Sequence, residues 1–375
     1  MPQILSNHTF IIYGGEHYNP LGMVRSLGEE GIKSIVIIDE HKQKVTSASR
    51  YIGELYFVHS LEEGYNLIIN KWGNEPYKPF ILTSSDDATS FYDQKYNDIQ
   101  DKFLFYNAGE QGRITYFMEK ERLCLLAEKH GLMIPKTYKV NKGKIPKNLQ
   151  YPVLTKADNS LIANWKSATH ICENEEQLKD AFKNIVQSKV IIQHYIKKKN
   201  ELCLDGYSWN HGKNVFVGIA SNYKYILPDC YSFYMDIFNF HNEKIQKALE
   251  GMMSEIGFEG IFSVEFLVDE NEQLYFLEIN FRNSTWSYAS TKAGMNLVTG
   301  WCCAMVEGES HNPVYQDIPS NFTAMVELSD FKARVTSKKI GIGQWIKEFR
   351  DCNCTFYYDK KDKRPLWTAI TSKLF

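Results

Sequence analysis

The chain has 375 residues, of which 43% are apolar and 23% charged, values typical of a globular fold rather than a disordered or fibrous one. Its formal net charge is −2, so the whole molecule has no electrostatic field that would favour nucleic acid or an anionic membrane as a partner. At about 100–200 residues per domain, this length predicts two or three domains.

Targeting signals and cysteine usage predict a cytoplasmic protein. No stretch approaches the roughly 18–20 apolar residues that span a bilayer, and the N-terminal segment MPQILSNHTF lacks the regions of a signal peptide. The eight cysteines are scattered, which favours reduced thiols over a disulfide framework. Neither Cys302-Cys303 nor the pair Cys352 and Cys354 has the spacing of a zinc site.

The first part of the chain alternates short apolar strands with helical segments. The predicted strands are Phe10–Tyr13, Ser34–Ile38, Phe57-Val58 and Phe80–Leu82, and the predicted helices are Leu21–Glu30 and Leu61–Trp72. Gly31 follows the first helix as a predicted C-cap. This alternation predicts a parallel α/β sheet, and we place the domain at residues 1–107.

The rest of the chain mixes helices with antiparallel strands. The predicted helices are Arg113–Gly131, Glu175–Val186 and Lys244–Ile256, and the predicted strands are Tyr151–Lys156, Val190–Ile196, Ile261–Val268 and Gln273–Ile279. The turn Asn210-His-Gly212 is expected to join two strands, and Asp269–Glu272 to close a hairpin. After residue 310 the pattern predicts short strands and one helix near Trp345.

Two carboxylates lie inside the apolar strands of the last hairpin. Because side chains alternate between the faces of a strand, Glu265 and Glu278 can lie side by side, with Asn280 and Arg282 on the face of Glu278. Two buried carboxylates repel each other unless a cation joins them, and oxygen donors favour Mg²⁺ over zinc. The pattern fits either a Mg²⁺ site with an arginine for an oxyanion, or two acids facing solvent.

The run Leu277–Arg282, which follows Ser263-Val-Glu265 by one hairpin, resembles the metal-binding end of the ATP-grasp superfamily. In that superfamily a Glu on one strand is followed by Glu-x-Asn-Pro-Arg on the next, and Phe281 stands here in place of the proline. The resemblance implies a site for Mg²⁺, with two ions expected, and an arginine that stabilises the transferring phosphoryl group or acyl phosphate. The residues carried over are Glu265, Glu278 and Asn280 as metal ligands and Arg282 as the catalytic residue.

Further motifs of the same superfamily precede the hairpin in the expected order. Phe117–Leu123 and the turn Gly131–Thr137 resemble its lysine-bearing helix, Tyr151–Lys156 resembles its second lysine strand, and Val190–Ile196 resembles its hinge strand. The resemblance implies that ATP binds here. The residues carried over are Lys120 and Lys156 at the ATP lysine positions, Gln193, His194, Tyr195 and Ile196 beside the adenine, and Glu201 at the ribose hydroxyls.

Two features depart from the superfamily pattern. The loop after the second lysine is usually rich in glycine, but Ala157–Lys166 contains none, which leaves Ser160 and Lys166 as candidate phosphate contacts. The hinge has Gln193-His194 where a glutamate is common. A C-terminal Asp359-x-x-Asp-x-x-Pro365 resembles the subgroup that contains D-aspartate ligase.

The resemblance implies a mixed α/β and α+β fold, in which an N-terminal, Rossmann-like pre-ATP-grasp domain precedes a two-lobed ATP-grasp domain. The expected boundaries are 1–107 for the first domain, 108–192 for lobe A, 193–310 for lobe B and 311–375 for a C-terminal extension packed on the ATP-grasp unit. Substrate-binding residues are expected near Gly15-Glu16 and at residues 283–290. Asp86-Asp87 either reaches the cleft between domains or caps the helix that follows.

The implied activity is that of an ADP-forming carboxylate–amine ligase. It would use ATP and Mg²⁺ to join small-molecule or peptide-like carboxylate and amine substrates through an acyl phosphate. Two alternatives stay open: an ATP-grasp enzyme that activates bicarbonate or formate, and an inactive nucleotide-binding regulatory protein, which the missing glycines suggest. No nucleic-acid partner and no membrane span are expected, and homodimers are common among enzymes of this size and type.

Overall fold

The computed structural model describes residues 2–39, 44–157, 169–226 and 232–372. Its strands, numbered in chain order, are β1 Phe10–Gly14, β2 Ser34–Ile38, β3 Ile52–Phe57, β4 Phe80–Thr83, β5 Leu104–Phe105, β6 Thr137–Asn141, β7 Val153–Ala157, β8 His170–Cys172, β9 Lys189–His194, β10 Asn200–Trp209, β11 Asn214–Tyr223, β12 Tyr234–Phe238, β13 Gly260–Val268, β14 Leu274–Asn280, β15 Thr323–Met325 and β16 Cys354–Thr355. Its α-helices are α1 Tyr18–Glu29, α2 Leu61–Trp72, α3 Asp86–Gln94, α4 Tyr96–Ile99, α5 Arg113–Phe117, α6 Lys120–Lys129, α7 Glu175–Asn184, α8 Glu243–Ile256, α9 Ser287–Lys292, α10 Leu297–Glu307, α11 Glu327–Phe331, α12 Ile342–Asp351 and α13 Arg364–Thr371.

The strands of the N-terminal part form a parallel sheet, as the alternation of strands and helices predicts. Within the described residues its order is β3-β2-β1-β4-β5, and β1 at its centre is buried along its whole length. Gly31, which follows α1, has φ of +80°, a left-handed conformation that glycine adopts without a steric penalty. The strand predicted at Phe57-Val58 begins earlier, at Ile52, because β3 is an edge strand whose half-exposed residues give no apolar run.

The single helix predicted over Arg113–Gly131 is wrong, since the chain forms two helices there, α5 and α6. Glu119 between them has φ of −68° and ψ of 117°, an extended backbone that interrupts the helix. Apolar periodicity does not reveal such a break, because a few non-helical residues leave the apolar spacing within each half of the segment intact. The consequence for the site is that Lys120 lies in the first turn of α6.

An antiparallel sheet with the order β6-β9-β7-β8 follows α6. One face of this sheet is apolar and is covered by α7, whose buried residues are Leu178, Ala181 and Phe182. Lys156 and Gln193 lie on the opposite face, because their positions in β7 and β9 alternate with the residues that α7 covers. That opposite face forms one side of the candidate site.

The largest sheet of the described residues has the order β14-β13-β10-β11-β12-β15-β16 and is antiparallel except for its last pair. The predicted turn Asn210-His-Gly212 joins β10 to β11, with all three residues at positive φ. The predicted hairpin is β13 and β14. Residues after 310 contribute β15 and β16, and they form the helices α11, α12 and α13 rather than the single helix expected near Trp345.

A shared core and a buried ion pair join the N-terminal part to the rest. Trp301 of α10 is fully buried, and its ring packs edge-on against Phe80 and Tyr106, with centroids 5.8 and 4.8 Å away. Arg25 of α1 is also fully buried, and its Nε lies 3.0 Å from a carboxylate oxygen of Asp362. No helix among the described residues is long and apolar enough to cross a membrane.

Candidate nucleotide and metal site

The two carboxylates of the hairpin face each other across its strands. Glu265 of β13 and Glu278 of β14 are direct register partners, and Ser263 is opposite Asn280. The amide Nδ2 of Asn280 donates a hydrogen bond of 3.0 Å to Oε1 of Glu265. The local pairing of one hairpin therefore brings together the three residues predicted as metal ligands, because directly opposite residues of an antiparallel pair project onto the same face.

Burial and neighbouring charges act on Glu265. Desolvation, followed by the charges of Glu278 and Glu201, raises the pKa of the Glu265 carboxyl to about 7, although the hydrogen bond from Asn280 and the charge of Arg282 oppose the shift. The raised pKa means that no nearby positive group fully offsets the negative charge of ionised Glu265. An added cation would stabilise its ionised form.

Glu201 adds a third acid on the same face of the sheet. It lies in β10, which pairs with β13 so that Cys203, two residues further along, is opposite Glu265. Glu201 is 7% exposed, accepts a hydrogen bond of 2.6 Å from the hydroxyl of Tyr223, and lies 2.8 Å from Nζ of Lys198. The fold thus makes Lys198 the ion-pair partner of Glu201.

Two lysines from separate elements face these acids. Nζ of Lys120, in the first turn of α6, lies 3.8 Å from Oε2 of Glu278. Lys156 on β7 is close enough for the charges of Lys120 and Glu278 to act on it. Burial, followed by repulsion from Lys120, lowers the pKa of Lys156 to about 8. Each side of the cleft therefore holds two groups of the same charge close together, the two acids on one side and the two lysines on the other.

Arg282 is held between the hairpin and the parallel-sheet domain. Its Nε and Nη2 donate to the two carboxylate oxygens of Asp86 at 2.9 and 3.1 Å, and Nη2 also donates to Oδ1 of Asn280 at 3.2 Å. Asp86 reaches the cleft between domains, as one interpretation of the sequence proposed, and the side chain that caps α3 is Ser85. The guanidinium is thereby fixed beside the metal-ligand candidates.

A polar cavity of about 390 Å³ opens next to Arg282. Its lining includes His17 and Asn19 after β1, Asp86 and Asp87 at the start of α3, and Arg282 and Thr285 after β14. These segments adjoin the two regions in which substrate-binding residues were expected, near Gly15-Glu16 and at residues 283–290. That assignment stays a prediction.

The hinge residues end β9 (Gln193 and His194) or follow it (Tyr195 and Ile196), and their backbone also serves the fold. The backbone N–H of His194 donates to the carbonyl oxygen of Lys136 at 2.8 Å, and that of Tyr195 donates to Pro152 at 2.9 Å. Ile196 is buried, and the side chain of Gln193 bonds to Lys156 rather than pointing away from it. Contact of these four residues with adenine stays a prediction.

Ser160 and Lys166, the candidate replacements for a glycine-rich phosphate loop, lie outside the described residues. Sequence reasoning also missed Asp205, a fully buried acid of β10 that accepts a hydrogen bond of 2.9 Å from Ser287. Burial raises the pKa of Asp205 to about 6. The signal was available, because Glu201, Cys203 and Asp205 alternate through an apolar strand in the manner of Glu265.

Within the described ranges, no group of three or more His, Cys, Asp or Glu side chains is placed to hold a metal ion. A cation beside the hairpin would therefore rely on two carboxylates, the amide oxygen of Asn280 and oxygens supplied by a ligand. That donor set fits Mg²⁺, which is commonly bound through one or two carboxylates together with substrate phosphates.

No protein-family model matches the chain. Its structure is similar to that of an L-amino acid ligase from Bacillus licheniformis, at 13% identity and a TM-score of 0.58, covering 88% of this chain and 78% of that one. It is similar to N5-carboxyaminoimidazole synthetase from Staphylococcus aureus, at 16% identity and a TM-score of 0.61, covering 88% and 86% of the two chains.

A third similar structure is the biotin carboxylase domain of 2-oxoglutarate carboxylase from Hydrogenobacter thermophilus, which contains MgADP, ADP and bicarbonate. It is 17% identical, has a TM-score of 0.61, and the match covers 84% of this chain and 73% of that one. Similarity at these identities shows the fold: the chain has the ATP-grasp fold that these enzymes share. The D-aspartate ligase-like subgroup stays a prediction.

Proposed function

We propose that this protein is an ATP-dependent ligase that joins a carboxylate to an amine and releases ADP and phosphate. The observation that carries the proposal is the arrangement of charges in the cleft. Lys120 and Lys156 on one side face Glu265 and Glu278 on the other, with Arg282 at the end of the hairpin. A nucleotide with its metal would supply negative phosphates to the lysines and a cation to the acids.

In this proposal Glu265, Glu278 and Asn280 hold Mg²⁺. The raised pKa of Glu265 supports the fit, because two facing carboxylates are stabilised in their ionised form by a divalent cation. Asn280 donates its Nδ2 to Glu265 and accepts from Arg282 through Oδ1, so its amide contacts both a proposed metal ligand and the proposed catalytic arginine. When bound, Mg²⁺ would neutralise charge on the β- and γ-phosphates.

The proposed chemistry takes place in two transfers. A carboxylate oxygen of the first substrate attacks the γ-phosphorus of ATP, the bond to the β–γ bridging oxygen breaks, and ADP leaves with that oxygen. The amine nitrogen then attacks the acyl carbon, phosphate leaves with the former carboxylate oxygen, and the nitrogen loses a proton. Arg282 is the proposed catalytic residue, since its fixed positive charge suits both the transferring phosphoryl group and the acyl phosphate.

Lys120 and Lys156 are proposed to bind the phosphates, and Glu201 the ribose hydroxyls. Lys198 donates to one carboxylate oxygen of Glu201 and Tyr223 to the other, and these two bonds hold the side chain in place. Likewise, the polar cavity beside Arg282 is the proposed entry for the acid and amine, because an acyl phosphate formed at Arg282 would border it.

The test is ADP release measured over a matrix of acids and amines with MgATP. The proposal expects ADP to form only when one acid and one amine are both present, with an amide product seen by mass spectrometry. ADP release that needs bicarbonate or formate alone would favour the rival activation reaction. Tight MgATP binding without turnover for any pair would favour a regulatory nucleotide-binding protein.

Three finer features remain predictions within this proposal: the domain boundaries, a cytoplasmic location and a homodimer. The boundary predicted between the lobes at residue 193 falls within β9, which ends at His194. Sedimentation of the purified chain would decide its oligomeric state.

A further inference from the structure

A continuous chain of hydrogen bonds leads from the turn before β6 to the amine of Lys156. Oγ1 of Thr137 donates to the carbonyl oxygen of Pro135 at 2.7 Å, and Nε2 of Gln193 donates to Oγ1 of Thr137 at 2.8 Å. Nζ of Lys156 donates to Oε1 of Gln193 at 2.9 Å. Three side chains on one face of the sheet thus form a single path.

The donors and acceptors along this path are fixed by chemistry. A carbonyl oxygen only accepts, so the single hydroxyl proton of Thr137 points to Pro135. The hydroxyl oxygen then has lone pairs to offer, which only the NH₂ side of the Gln193 amide can use. The amide must therefore present its oxygen to Lys156, and an ammonium group requires such an acceptor.

The sheet register makes the path possible. Gln193 is opposite Thr137 in the β6–β9 pairing and opposite Leu154 in the β9–β7 pairing, which places Lys156 diagonally across from it. Diagonal neighbours on one face are within reach of long side chains. Gln193 thus bridges the edge strand β6 and the lysine strand β7.

Lys156 needs such support because its surroundings disfavour a fixed ammonium group. Burial and the charge of Lys120 act against the ammonium form, and the charge of Glu278 acts in its favour. A flexible lysine also loses rotamer freedom when it is held in one place. A neutral amide stabilises the ammonium group without cancelling its charge, whereas a glutamate at the same place would form an ion pair and offset it.

We propose that Gln193 and Thr137 are positioning residues that hold the ammonium group of Lys156 in the cleft for the phosphates of the nucleotide, and that Gln193 acts through Lys156 rather than on the adenine. This inference rests on the proposed nucleotide binding. It also gives a physical role to the glutamine that stands where a glutamate is common in the superfamily.

The test compares the binding of MgADP and adenosine to the full chain by calorimetry and competition. Gln193→Met and Thr137→Val should each weaken MgADP binding by about tenfold, equivalent to about 1.4 kcal/mol, while adenosine binding stays within about twofold. Thr137→Ser keeps the hydroxyl and should restore MgADP binding. Gln177→Met, on the surface of α7 in the same part of the fold, is the matched control and should bind both ligands like the wild type.

Equal losses for adenosine and MgADP would overturn the inference, because Gln193 would then contact the base or support the fold alone. Unchanged MgADP binding in Gln193→Met would also overturn it. A wild-type chain that binds no MgADP would refute the proposed function, and a second readout decides the positioning role in that case. Acylation of Lys156, followed by mass spectrometry, should be several-fold faster in Gln193→Met, since loss of the acceptor favours the free amine; equal rates would contradict it.

Discussion

The two sides of the cleft carry opposite charges and are built in different ways. The acids Glu201, Glu265 and Glu278 lie on three neighbouring strands of one sheet, so the ladder alone sets their spacing. The lysines come from unconnected elements: Lys156 lies in the four-stranded sheet and Lys120 begins a helix that packs beside β14. Strand pairing therefore determines the acidic side, whereas the basic side depends on how the lobes fit together.

On each side of the cleft the surroundings disfavour the charged form of one side chain, which raises the pKa of the acid and lowers that of the lysine. Desolvation and neighbouring acids raise the pKa of Glu265 to about 7, and desolvation and a neighbouring lysine lower the pKa of Lys156 to about 8. Both shifts move the groups toward neutrality. Paired perturbations of this kind are typical of functional sites, where a bound ligand supplies the missing charge.

The largest effect is expected from a substitution that removes a negative charge from the acidic side of the cleft. Glu278→Gln should reduce Mg²⁺-dependent ATP turnover by roughly a thousandfold or more, because the metal ligand set loses a carboxylate while the side chain keeps its size. Glu270→Gln is the matched control, since Glu270 lies in the turn of the same hairpin and pairs with Lys197 at 2.7 Å. Wild-type turnover in Glu278→Gln would show that the acids of the hairpin do not serve the reaction.

A smaller effect is expected on the stability of the protein without Mg²⁺, because the ionised form of the buried Glu265 is disfavoured. The folded-state pKa of Glu265 is about 7 against 4.5 for the free group, so the unfolded chain ionises first as pH rises. Without Mg²⁺, this acid should therefore lower stability progressively across that interval, by at most about 3 kcal/mol.

Glu265→Gln removes this loss, and its advantage over the wild type should grow between about pH 4.5 and about pH 7. Urea unfolding in the presence of a chelator measures the difference at each pH. Parallel stability curves for the two proteins would mean that Glu265 is not destabilised when ionised.

The smallest effect concerns the basic side. Because the pKa of Lys156 is about 8, the wild type should lose about tenfold in MgADP affinity between about pH 7 and about pH 9.5. Lys156→Arg should keep its affinity over the same range, since a guanidinium stays protonated. Calorimetric titrations at each pH provide the measurement, and an equal decline in both proteins would assign the pH dependence to another group.

The sequence determined much of the fold, because periodicity and local pairing are written in consecutive residues. The helix Leu61–Trp72 and the strand Ser34–Ile38 have the predicted bounds, and the hairpin of β13 and β14 places Glu265 opposite Glu278 as alternation requires. The order of motifs also predicted the ATP-grasp fold that the solved structures share. Only a short turn separates the two strands of the hairpin, so few alternatives existed.

Tertiary structure alone decided which distant residues complete the site. Nothing in the spacing of Asp86 and Arg282, or of Lys120 and Glu278, indicates that these pairs meet, because their contacts depend on how domains and lobes pack. The path from Thr137 through Gln193 to Lys156 likewise depends on a sheet order that places β9 between β6 and β7. Sequence patterns show which residues share one face of a strand or helix and which segments pair locally. The charged residues that lie opposite such a face come from distant segments, and no local pattern relates the two.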